Sequence, residues 1–100
     1  MNSGIKENKD KLFYELDWSF VKAMAERMSQ NKGDDKYPRF NWKKKIDVEE
    51  LNQALIRHFI SVQEGTFDDG GQENGHLIAL ACNAMMLVYQ LKHYKDEKLV

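Results

Sequence analysis

Residues 77–89, Leu-Ile-Ala-Leu-Ala-Cys-Asn-Ala-Met-Met-Leu-Val-Tyr, constrain this chain more than any other stretch. Read as part of a helix over about 75–95, they are apolar on nearly every side. Such a helix must be covered from more than one direction. The chain has only 100 residues, one domain's worth, and room for just two other long helices. Two helices cannot cover all of the third, so the sequence predicts a chain that packs against copies of itself. The run from Leu77 to Leu91 is interrupted by Asn83 and Gln90 and is too short to span a bilayer.

The other two helices read from their periodicity. Leu12, Phe13, Leu16, Phe20, Val21, Met24 and Met28 recur near a 3.6-residue spacing, with Asp17 as a cap, residues 12–16 as a lead-in, and an end near Asn31. In the second, Asp47 and Glu50 have the spacing of a capping box, with Val48, Leu51, Leu55, Phe59 and Val62 on one face and an end near Gly65. The predicted fold is therefore all-α. Three main helices form a compact bundle, an aromatic and basic loop over residues 33–46 lies across them, and oligomerisation completes the core. Residues 1–10 read as a flexible polar tail, and residues 11–100 as a single helical domain. The end beyond His93 is charged and expected to fray.

Charge narrows the partners. A formal net charge of −1 offers no broad field for the backbone of a long nucleic acid or for an anionic membrane. A small anionic ligand needs only a local cluster. The single cysteine, Cys82, lies in the apolar run and reads as a buried core residue. One cysteine cannot form an internal disulfide, which fits a reducing, cytoplasmic compartment. The polar opening residues carry no visible signal peptide.

Several polar residues resist a purely structural reading. His58 sits at the edge of the second helix's buried face, flanked by Glu50, Ala54, Arg57 and Ser61. His76 opens the third helix, and Asn83 follows two turns later on the same face. Asp68 and Asp69 precede a Gly-Gly turn. Each has an ordinary explanation: a packed histidine, a register-fixing asparagine, a turn. No His-Glu-x-x-His pattern, phosphate-binding glycine loop or nucleophilic serine motif is present.

In order, Lys36-Tyr37, Asn41-Trp42, Arg57-His58, Gly65, Asp69, His76-Leu77 and Asn83 resemble a phage protein family, the dATP/dGTP diphosphohydrolase amino-terminal domain. The stretch from Arg57 to Asn83 matches without a gap, and the helix before Lys36 also fits. The resemblance implies a hydrolase that cleaves a purine deoxynucleoside triphosphate to its monophosphate and pyrophosphate with a divalent metal, Mg, Mn or Co. It makes His58, Asp69 and His76 the catalytic or metal-binding groups. Arg57 and Lys36 become phosphate partners. Tyr37, Asn41, Trp42 and Asn83 belong to the substrate-binding set, Trp42 being able to stack on a purine ring. If phage-encoded, the protein would act in the host cytoplasm.

There are two departures. Ala79 stands where the family pattern has a second histidine, and Gln72-Glu73 replaces its Ser-Gly. They keep a second expectation alongside hydrolysis: a nucleotide sponge that sequesters a host signal in an anti-defence role. A third is a structural helical oligomer without a ligand.

Overall fold

The computed structural model describes residues 11–30 and 40–94. Residues 1–10 and the end of the chain lie outside the described residues. So do Lys36 and Tyr37, most of the loop between the first two helices, and the predicted end of the first helix. The described residues form three α-helices: α1 (Trp18–Ser29), α2 (Val48–Gln63) and α3 (Gly75–His93). Two short 3-10 turns precede α1 (Leu12–Glu15) and α2 (Asn41–Lys43). No strand is present among them. The all-α, three-helix fold read from the sequence is the fold observed.

Local chemistry sets the helix ends. Asp17 caps α1 by accepting from the Ser19 backbone N–H at 3.0 Å, and Asp47 caps α2 by accepting from that of Glu49 at 2.9 Å. The reciprocal half of the expected capping box, from Asp47 N–H to Glu50, is not formed. At the other end of α2, Gly65 has φ 87°, Thr66 N–H donates to Ser61 O and Gly65 N–H to Val62 O. These two bonds make a Schellman ending, which requires the left-handed residue that glycine supplies.

The core lies along one face of α3. There Gly75, Ile78, Ala79, Cys82, Asn83, Leu87 and Gln90 are buried, while α2 adds only Val48 and α1 no buried residue. Helix α3 packs extensively on α2, less on α1, and touches the turn at Asn41–Lys43. Cys82 is buried as expected, with its thiol directed at Met24 O at 3.7 Å. Burial pushes that thiol's pKa up and keeps it unreactive. Phe59 does not join the buried face of α2; it is 51% exposed, because it sits about 60° around the helix from the centre of that face.

Candidate functional site

The turn between α2 and α3 does most of the positioning. Asp69 and Gln72 exchange backbone hydrogen bonds at 3.1 and 3.0 Å, closing a two-residue turn in which Gly70 and Gly71 both have positive φ. This is the turn type that Gly-Gly favours. Asp68 accepts from the Asn74 N–H at 2.9 Å, and His76 N–H donates to Phe67 O at 3.0 Å, so the loop is laced to the first turn of α3. Gly75 is buried against Asp69: a Cβ there would meet the Asp69 backbone at 2.8 Å.

These contacts bring His58, Asp69 and His76 together. One ligand atom from each lies within 4.8 Å of the others. The two imidazoles are joined directly, Nδ1 to Nδ1 at 2.8 Å, and His76 Nε2 stands 3.8 Å from Asp69 Oδ1. The other Asp69 oxygen accepts from Arg27 at 2.7 Å; Arg27 also donates to Gln72 Oε1 at 3.0 Å, and Gln72 Nε2 donates to Ala23 O at 3.1 Å. Arg27 and Gln72 thus tie the turn to α1. Neither was expected from the sequence, although Arg27 lies on the same side of α1 as Met24 and Met28.

Electrostatics divide the proton work. Burial, and then the positive field of Arg27, His76 and Arg57, lower the His58 pKa against the opposing pull of Asp69. His58 is therefore neutral at pH 7. The hydrogen bond from Arg27 holds Asp69 below the ordinary carboxylate range. A consistent proton assignment has Asp69 facing His76 Nε2–H and His76 Nδ1 accepting from His58 Nδ1–H. That leaves the lone pair on His58 Nε2 free. As a donor set, two imidazoles and a carboxylate make the open three-ligand arrangement of a metal site. A cation at the facing nitrogens would replace the proton the two rings share.

The other expected residues lie elsewhere. Arg57 is exposed and lines an open groove of about 790 Å³ with Glu49, Glu50, Gln53 and Ala54 and, at its far end, Ile46 and Asp47. The groove runs along the flank of α2, and Arg57 is the lining residue nearest His58 in the chain; His58 itself does not line it. Asn83 is buried two turns along α3 from His76, roughly 10 Å in helix rise. Its carboxamide makes no hydrogen bond among the described residues. Trp42 packs edge-on against Tyr89 at 5.1 Å, with Asn41 beside it, so both sit at the opposite end of α3, roughly 20 Å from His76. Lys43 lies over the Phe40, Trp42 and Tyr89 rings at 4.7, 5.4 and 5.6 Å. Ala79 is buried one turn beyond His76.

The family described as dATP/dGTP diphosphohydrolase, N-terminal, matches residues 1–99. The chain belongs to that family. It is a nucleotide-handling family by its name, and the match covers its amino-terminal domain. No curated protein and no solved structure matches the chain significantly. No helix among the described residues is long and apolar enough to cross a membrane.

Proposed function

We propose that this domain binds a purine deoxynucleoside triphosphate beside the His58–Asp69–His76 centre and hydrolyses it to the monophosphate and pyrophosphate. The observation that carries the reading is the convergence of these three side chains from α2, the Gly-Gly turn and α3, with Asp69 locked by Arg27. Water would attack the α-phosphorus, forming one P–O bond as the bond to the bridging oxygen of pyrophosphate breaks. His58 Nε2 takes the water's proton. His76 orients His58, and Asp69 orients His76. Arg57, a groove residue next to His58 in the chain, would meet the phosphates. The carboxylates of Asp47, Glu49 and Glu50 repel phosphate from the rest of the groove and leave it to the nucleoside.

In a metal-loaded form His58, Asp69 and His76 would instead hold a divalent cation, with His58 serving as a ligand through Nδ1 and keeping its proton on Nε2, and the cation would supply Lewis-acid stabilisation of phosphate charge. The test is turnover of dGTP and dATP with Mg²⁺, Mn²⁺ or Co²⁺, read by phosphorus NMR, for the wild type and His58→Gln. Pyrophosphate from the wild type and none from the variant is expected. Retained Co²⁺ binding in an inactive His58→Gln assigns His58 as the proton acceptor; lost binding assigns it as a ligand. Equal turnover in both proteins would remove the centre from the reaction. The burial of Ala79 where the family has a histidine favours one alternative, sequestration without cleavage. Tight binding with the nucleotide recovered intact would establish it in place of hydrolysis.

A further inference from the structure

The face of α3 opposite its buried side is also apolar. Leu77, Ala81, Ala84, Val88 and Leu91 recur at intervals of four, three, four and three residues, the spacing of a coiled-coil seam. Leu77, Val88 and Leu91 are 41%, 57% and 37% exposed, and Ala81 and Ala84 half-buried. Lone exposed leucines are ordinary, but a continuous heptad seam on the back of a core helix is a second packing face. Among the described residues the internal core is small: its buried apolar side chains are Val48, Ile78, Ala79, Cys82 and Leu87.

We infer that this seam is a dimer interface in which α3 packs antiparallel against α3 of a second copy, with the two-fold axis at Ala84. An axis at Ala84 is the register that gives all five seam residues a counterpart; a shift to either side leaves Leu77 or Leu91 unpaired. Leu77 meets Leu91 of the partner subunit, Ala81 meets the partner's Val88, and the small Ala84 residues meet at the axis, where the helices approach closest. The ends agree in charge. Asp68 and Glu73 precede the α3 N-terminus and Lys92 and His93 close its C-terminus, all exposed. An antiparallel pair sets each acidic end against a basic one, and the helix dipoles align favourably. A parallel pair would oppose like charges. The inference goes beyond the nucleotide reading and does not depend on it.

The test is sedimentation of the full chain with Ala84→Glu, together with disulfide trapping of Ala84→Cys and Leu77→Cys. The wild type should sediment at twice the chain mass or a multiple of it, and Ala84→Glu at half that mass or less with its helical circular dichroism kept. Ala84→Cys should cross-link at least tenfold faster than Leu77→Cys, whose nearest counterpart is leucine. A monomeric wild type, or an undiminished mass in Ala84→Glu, overturns the interface. Leu77→Cys linking as fast as Ala84→Cys overturns its antiparallel register. Should Ala84→Glu fail to fold, the trapping pair decides alone. Mass and cross-linking are read without nucleotide, so neither result bears on hydrolysis.

Discussion

The two ends of α3 use the same stripe differently. His76, Asn83 and Gln90 are spaced seven residues apart and share one face. At the Gln90 end the buried carboxamide makes all of its bonds. Gln90 has no exposed surface, its Oε1 accepts from Ile46 N–H at 3.0 Å, and its Nε2 donates to Trp42 O at 3.0 Å and Lys44 O at 2.7 Å. Tyr94 adds a bond to Lys43 O at 2.9 Å. At the His76 end the rings bond to each other and keep capacity to spare. A polar residue with all its bonds made fastens a loop; one with bonds left over can take a ligand. The contrast separates scaffold from site within a single helix.

The contrast breaks most visibly at Gln90. Gln90→Leu strands one backbone N–H and two backbone carbonyls beneath the loop before α2 and should cost about 3 kcal/mol or more in urea unfolding. Cobalt binding at the other end of the helix should be unchanged in the folded protein. Gly75→Ala should act the opposite way. Its new methyl meets the Asp69 backbone, so the turn must shift, with about 2 kcal/mol of lost stability. The larger effect should be on turnover, because Asp69 moves away from His76.

The scaffold end was partly legible in the sequence and the site end less so, for a physical reason. The helix caps Asp17 and Asp47, the Gly65 ending and the apolar period are local, so spacing alone reveals them. His58, Asp69 and His76 stand out by residue type, and the fold brings those three together. Arg27 and Gln72 escape notice because their partners lie 42 and 49 residues away in the chain. A charged residue among the methionines of α1 is the signal that could have found Arg27. Trp42 shows the converse. An aromatic in a basic loop reads as a nucleotide contact, but the packing of Trp42 on Tyr89 belongs to the fastened end.

Acid should sharpen the contrast by loosening only the site end at first. The His58 pKa in the folded state lies below its ordinary value of 6.5, so the unfolded chain binds more protons as pH falls through that value. Stability present above pH 6.5 is therefore lost on acidification through the folded pKa. The corresponding loss from Asp69 begins only below its ordinary value of 3.8. The melting temperature of the wild type should drop modestly between about pH 7.5 and 5.5, the window in which an unperturbed histidine takes up its proton. In His58→Gln that drop should flatten. An equal drop in both proteins would mean that another group carries the titration.

Asn83, midway along the stripe, decides where scaffold gives way to site. If its carboxamide fixed helix register, it would need a partner on α2, and among the described residues it has none. Its residual 8% exposure lets the carboxamide reach solvent, so replacing it with leucine of similar size removes a polar group that forms no internal bond. Asn83→Leu should then change stability by less than about 1 kcal/mol in either direction. The same substitution should weaken nucleotide binding severalfold while leaving Co²⁺ binding intact, because the amide's free hydrogen-bonding capacity is what a sugar or base would use. A loss of several kcal/mol with unchanged nucleotide affinity would place Asn83 with Gln90, among the residues that hold the fold, and confine the site to the first turn of α3.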